Sequence, residues 1–178
     1  MKTNIALIGF MGTGKTAVGK VLAEKLGKEF IELDQLIEQR AGKSIPEIFK
    51  EDGEIAFRQL EIEATKEVAE RTNSVIACGG GVVLNKINID RLRETSIIVF
   101  LRASPATILK RTSTSDNKRP LLNATDRALR IRELLRYRRP FYQRAADITI
   151  DTTKRPIEAV VQEIIKRLKE DEGLNFQE

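Results

Sequence analysis

The octapeptide Gly9-Phe-Met-Gly-Thr-Gly-Lys-Thr16 has the spacing G-x-x-x-x-G-K-[ST], which suits the cradling of a polyphosphate. Gly9, Gly12 and Gly14 let the backbone turn tightly and approach an anion with no Cβ in the way. Loop N–H groups and the positive end of the following helix dipole aim at the phosphates. Lys15 brings a full charge to the β- and γ-phosphates, and the Thr16 hydroxyl is a Mg²⁺ ligand. Gly12, Thr13, Gly14, Lys15, Thr16 and Ala17 form the expected nucleotide-binding set.

A Mg²⁺ nucleotide site also wants a carboxylate near the threonine. The apolar strand expected over 74–78 ends Ala77-Cys78-Gly79 and offers none. Glu32 and Asp34, two residues apart at the end of an earlier strand, are the best supply, and on a strand both would face one side. Asp34 is also placed to cap the next helix. Gly79-Gly80-Gly81 gives either backbone N–H groups free to meet a ligand or a plain flexible turn. Arg58, taken alone, reads as a surface arginine. The polar segment 112–124 carries Lys118 and Arg119, with Arg111 before it and Arg138 and Arg139 after it. Beside a phosphate site it reads as a lid that excludes water and brings a guanidinium to the phosphoryl group.

These residues need a frame that brings them together. Ile5–Ile8, Phe30–Leu33, Ser74–Cys78, Ile97–Leu101 and Ile148–Ile150 are short apolar runs of strand length. Helical patterns lie between them. One follows Thr16 and stops at Gly27, and another continues from Asp34 to Gly42. Ser44-Ile-Pro-Glu47 carries a capping-box signature. A long helix is expected over Glu54–Arg71, with Phe57, Leu60, Ala64 and Val68 on one face. Ser104-Pro105 caps a helix to about Arg111. Asp126 to about Arg144 is helical, with Pro140 expected to kink or break it. Pro156 opens the last helix, and the chain beyond Glu170 is expected to fray. Alternating strands and helices predict an α/β fold: a five-stranded parallel sheet in a three-layer α/β/α sandwich. Ligands then bind at the C-terminal strand ends, where Gly9–Thr16, Glu32–Asp34 and Gly79–Gly81 all fall.

Composition narrows the function. At 178 residues the chain reads as one domain, over 1–172, with a frayed tail at 173–178. It contains no histidine, which removes His-based acid–base and nucleophilic catalysis. The single cysteine, Cys78, excludes an internal disulfide and fits a reducing, cytoplasmic setting. No secretory leader is expected, and no apolar run reaches membrane-spanning length. The net charge is +5, but residues 110–144 hold 11 Lys/Arg against 3 Asp/Glu, leaving 20 against 23 elsewhere. A local arginine cluster serves a polyphosphate as well as it serves DNA. Low aromatic content (5%, no Trp) gives few stacking platforms, so no nucleic-acid partner and no membrane partner are expected.

In order along the chain stand Gly9-x-x-Gly-x-Gly-Lys-Thr16, Asp34-x-x-Ile-Glu38, Gly53-Glu54 to Phe57-Arg58, Gly79-Gly80-Gly81, Arg119-Pro-Leu-Leu122 and Arg138-x-Pro-x-Tyr142. Together they resemble shikimate kinase, from about residue 4 to 168. The resemblance implies ATP-dependent phosphorylation of the shikimate 3-hydroxyl, in aromatic amino-acid biosynthesis, by a monomer. It implies a substrate-binding segment over 34–61 and a lid over 112–124. Asp34 would contact the reacting hydroxyl, and Arg58 and Arg138 would hold the shikimate carboxylate. Gly80, within Gly79–Gly81, would add a backbone contact. Lys15 and Arg119 would neutralise the ATP phosphates, and Arg111 and Arg155 would flank adenine. The family pattern usually has Asp-x-Asp where this chain has Glu32-Leu33-Asp34, so the Mg²⁺ role falls to Thr16 and Glu32. Other readings of the same residues are a gluconate or nucleoside monophosphate kinase, a non-catalytic nucleotide- or nucleic-acid-binding module, and a kinase scaffold without activity.

Overall fold

The structure, a computed structural model, describes residues 1–113, 126–171 and 176. Five strands, β1 (Asn4–Ile8), β2 (Glu29–Glu32), β3 (Ser74–Ala77), β4 (Ser96–Arg102) and β5 (Ile148–Asp151), form one parallel sheet in the order β2-β3-β1-β4-β5. The central strand β1 is buried throughout, as a sheet covered on both faces requires. Its side chains alternate between two cores. Ile5 and Leu7 join Val75, Ile97 and Val99 beneath α1 (Lys15–Leu26) and α8 (Ile157–Glu170). Ala6 and Ile8 join Ile76, Ile98 and Phe100 beneath the helices of the opposite face. Complete burial of a valine, leucine, isoleucine or phenylalanine side chain contributes about 1.5–3 kcal/mol, which is why these strands read as continuous apolar runs.

The opposite face is built from α2 (Leu33–Ala41), α3 (Ile45–Glu51), α4 (Gly53–Ala69), α5 (Lys86–Thr95), α6 (Pro105–Ser113) and α7 (Arg127–Ala145). Side-chain caps are present at three of them, two where the sequence places them, at Ser44 and Ser104, and a third at Asp126. Ser44 and Glu47 close a reciprocal capping box on α3. The Ser104 hydroxyl accepts from the Thr107 amide at 3.2 Å, and Asp126 Oδ1 accepts from the Leu129 amide at 3.0 Å.

Four local expectations change. β2 ends at Glu32, and Leu33 already belongs to α2. Asp34 therefore lies inside the first turn and is not the cap, so Glu32 and Asp34 do not share a strand face. Pro140 sits within a continuous α7. It is exposed on the solvent side of that helix, where water can satisfy the carbonyl one turn back, so the missing N–H costs no buried bond. A 3₁₀ turn at Val82–Leu84 and helix α5 follow the glycines, where no element was expected. Lys2 pairs with Phe176, whose ring lies 5.1 Å from the Lys28 ammonium; the rest of 173–178 is outside the described residues.

Candidate active site

The C-terminal ends of β1, β2 and β3 open into one cleft of about 820 Å³. β1 delivers the phosphate loop. Gly9 has φ +147, and a Cβ there would lie 2.2 Å from the Leu101 carbonyl oxygen, a backbone atom that cannot swing aside. Only glycine lets the loop leave the sheet this close to β4. Lys15 opens α1, and its ammonium donates to the carbonyls of Gly9 at 2.8 Å and Phe10 at 3.0 Å, which holds the charge over the loop. Thr13 is buried beneath the loop, where its hydroxyl donates to the Phe10 carbonyl at 2.8 Å. Gly12, Gly14, Lys15, Thr16 and Ala17 all line the cleft.

β2 brings Glu32 to the loop. Its Oε1 accepts from the Thr16 hydroxyl at 2.7 Å. Two hard oxygen donors thus stand together at the start of α1. Among the described residues no three His, Cys, Asp or Glu side chains surround one point. A hydroxyl and one carboxylate match the usual setting of a Mg²⁺ that takes its remaining ligands from phosphates and water.

β3 delivers Gly79–Gly81, whose role is close packing. A Cβ on Gly79 would lie 2.9 Å from Asp34 Oδ1 and 3.0 Å from Glu61 Oε2. On Gly81 it would lie 2.4 Å from Arg58 Nη1, and on Gly80 it would lie 3.5 Å from Arg138 Nη1. The absent side chains leave room for two carboxylates and two guanidinium groups to converge on one short turn. Asp34 reaches it from the first turn of α2, where the helix dipole favours the anion. Arg58 reaches it from α4, and Arg138, fully buried, from α7.

Glu61 escapes a reading of the sequence alone. It is an acid in the apolar stripe of α4, one turn after Phe57 and three residues before Ala64, and it is fully buried. That position is its only signal. Oε1 accepts from Arg58 Nη1 at 2.9 Å, while Oε2 is buried with no hydrogen-bond partner among the described residues. Burial pushes its carboxyl up, against the opposing pull of Arg58 and with help from the Asp34 charge. Arg58 also meets Glu54 at 3.3 Å, so the grip of α4 on this guanidinium is a three-residue chain on successive turns. Cys78, the residue after β3, lines the same cleft, and burial pushes its thiol up to about 12, which leaves it a poor nucleophile.

The nucleotide end is less complete. Arg111, on α6, lines the cleft and donates to the Gly12 carbonyl at 3.2 Å and to Thr152. Arg155 does not line it. Its guanidinium donates to the Asp151 carbonyl and pairs with Glu163 at 2.6 Å, towards α8. Arg119 lies outside the described residues, as does the expected lid apart from Thr112 and Ser113.

The shikimate kinase family model matches residues 11–169. The chain belongs to the shikimate kinase family. A shikimate kinase of Caldanaerobacter subterraneus subsp. tengcongensis is 50% identical over 163 residues, 92% of this chain and 94% of that protein. The structure of an Acinetobacter baumannii shikimate kinase, solved in complex with shikimate, is similar at TM-score 0.91 and 37% identity, covering 96% of this chain and 94% of that one. A Sinorhizobium meliloti gluconokinase shares the fold at TM-score 0.58 and 21% identity. The five-stranded order with helices on both faces is thus the shikimate kinase fold, and the chain is a kinase that uses ATP. No helix among the described residues is long and apolar enough to cross a membrane.

Proposed function

We propose that this cleft transfers the γ-phosphoryl group of ATP to the 3-hydroxyl of shikimate, with Asp34, Arg58 and Arg138 as the acceptor's contacts. The observation that carries this reading is the convergence of Arg58 and Arg138 on the Gly79–Gly81 turn beside Asp34. Two guanidinium groups suit one carboxylate, each with a planar fork of donors. A carboxylate within the same turn suits one hydroxyl. Shikimate, a triol with a single carboxylate, presents both. The substrate segment would then be 34–61, spanning α2, α3 and the start of α4.

The phosphate loop holds ATP, with the Lys15 ammonium against the β- and γ-phosphates. Asp34 accepts the proton as the 3-oxygen attacks the γ-phosphorus. The new O–P bond forms as the bond to the bridging β-oxygen breaks, and ADP leaves. Positioning and charge neutralisation supply most of the acceleration in such transfers. Arg119, from outside the described residues, belongs to this reading as a further positive charge on the phosphates. Thr16 and Glu32 are the residues to hold Mg²⁺, which when bound supplies further neutralisation at the phosphates. The protein acts as a monomer in this reading.

Two experiments bear on it. ADP release with ATP and Mg²⁺ is expected to rise with shikimate and to stay at background with gluconate, AMP, CMP or no acceptor. Stimulation by one of the others instead would keep the phosphate loop and overturn the acceptor pocket. Glu32→Gln keeps the shape but loses the charge beside Thr16, and is expected to raise the Mg²⁺ concentration needed for half-maximal rate. An unchanged Mg²⁺ dependence would remove Glu32 from the metal site.

A further inference from the structure

The phosphate loop is held from its far side by a residue 139 positions along the chain. Thr152 follows β5 and is buried. Its hydroxyl donates to the Thr13 carbonyl at 2.8 Å. The same oxygen accepts from Arg111 Nη1 at 3.2 Å, and it lies 3.2 Å from the Arg102 carbonyl. A hydroxyl has one proton and two lone pairs, so the shorter contact, to Thr13, takes the proton. The Thr152 amide donates to the Arg102 carbonyl at 2.8 Å, which ties the residue to the end of β4. Arg111 completes the clasp. One of its nitrogens donates to the Gly12 carbonyl at 3.2 Å and the other to the Thr152 carbonyl at 2.9 Å.

These bonds fix the orientation of peptide planes. In a trans peptide the C=O and N–H of one plane point in opposite directions. The Gly12 carbonyl shares a plane with the Thr13 N–H, which donates to the Phe10 carbonyl at 3.3 Å, so that plane is tied at both ends. The Thr13 carbonyl shares a plane with the Gly14 N–H, and Thr152 holds its carbonyl end. Thr13 is buried, whereas Gly14 lines the cleft. With the carbonyl drawn towards Thr152, the Gly14 N–H turns the other way, to the cleft. Gly14 has φ +102 and no side chain to restrain this plane, so the restraint must come from a partner.

We propose that Thr152 is a positioning residue for the phosphates of ATP, its hydroxyl setting the peptide plane that presents the Gly14 N–H to them. The bond to Thr13 stands before any nucleotide arrives, so binding does not have to order this donor. Thr152 itself does not line the cleft and acts through the loop. This inference rests on Gly9–Thr16 as the ATP site, and not on the identity of the acceptor.

The test compares the wild type with Thr152→Val and Thr152→Ser. It uses calorimetric titration with ADP and Mg²⁺, steady-state kinetics, and NMR of the backbone amides. Valine keeps the shape and removes the hydroxyl, and serine restores the hydroxyl. Thr152→Val is expected to weaken ADP binding and raise the KM for ATP about tenfold, the effect of a lost hydrogen bond that leaves a buried carbonyl unpaired. The KM for the acceptor is expected to stay at the wild-type value. The Gly14 amide resonance is expected to move on ADP binding in the wild type and in Thr152→Ser, and to move less in Thr152→Val. A merely structural threonine predicts a lower Tm in Thr152→Val, with the ADP affinity of the folded protein and the Gly14 response untouched. That result would overturn the proposal. Weaker ADP binding with a wild-type Gly14 response would overturn it too, because the effect would then reach the nucleotide by another route. Failure of serine to restore ADP affinity would do the same. A wild-type protein whose Gly14 amide ignores ADP would overturn the phosphate-loop reading itself, and this inference with it.

Discussion

Asp34→Asn is expected to lower kcat by about 10²–10⁴, the usual contribution of a positioned acid–base group, with ATP binding preserved. The separation of the two effects follows from the fold. Asp34 comes from α2 and meets the turn after β3, whereas the phosphate loop belongs to β1 and α1. Asparagine keeps the shape of the carboxylate and its place in the first turn of α2, so the local helix is not at risk. What it loses is an oxygen that can take the hydroxyl proton and the negative charge that orients that hydroxyl. Turnover with shikimate and binding of a non-hydrolysable ATP analogue check this. Near-normal turnover would reject the role, and equal losses of turnover and ATP binding would point to a collapsed cleft.

Lys15→Met is expected to reduce turnover by about 10³, on the scale of losing one preorganised donor at developing charge. Here the nucleotide side fails, so ATP binding should weaken as well, in contrast to Asp34→Asn. The geometry adds a second consequence. The Lys15 ammonium ties the Gly9 and Phe10 carbonyls together, and methionine leaves that part of the loop without its cross-tie. Shikimate binding in the absence of nucleotide should survive, because Arg58 and Arg138 are anchored on α4 and α7 and not on the loop. Single-turnover kinetics with separate binding titrations for each ligand distinguish these effects. Turnover within about tenfold of wild type would show that the lysine charge is dispensable to the transfer.

Much of the fold and of the site is legible in the sequence. The phosphate loop announces itself because glycine spacing, a preceding apolar run and a following helical pattern all constrain one another. The strands were legible for a related reason: a parallel sheet buried on both faces needs unbroken apolar runs, and Ile5–Ile8 and Ile97–Leu101 are such runs. The glycine turn was visible, but its purpose was not. Its glycines matter through what crowds against them, and Asp34, Glu61, Arg58 and Arg138 come from helices spread over a hundred residues of chain.

The misses share a cause, since each depends on tertiary surroundings that local pattern does not encode. Glu61 looks like a surface acid until α4 is laid on the sheet. Asp34 reads as a strand-end acid or as a cap, and the path of the chain after Glu32 puts it in the first turn of α2 instead. Helix α5 buries only Asn88, Ile89 and Leu92, too thin a stripe to declare itself. Pro140 should disturb a helix, and does not because its side of α7 faces water. Tyr142 was visible within a motif, yet its partner Gly80 is 62 residues away, so spacing could not assign its hydroxyl.

The central claim is that the convergent cleft places the 3-hydroxyl, and no other, against the γ-phosphate. The most direct measurement is the position of the phosphoryl group on the product. Enzyme, ATP, Mg²⁺ and shikimate are incubated together, and the product is examined by phosphorus–proton correlation NMR. A single phosphomonoester coupled to the proton on carbon 3, formed in step with ADP, is the predicted result. Phosphate on another hydroxyl, or ADP formed with shikimate left unmodified, would contradict the assigned geometry of Asp34, Arg58 and Arg138.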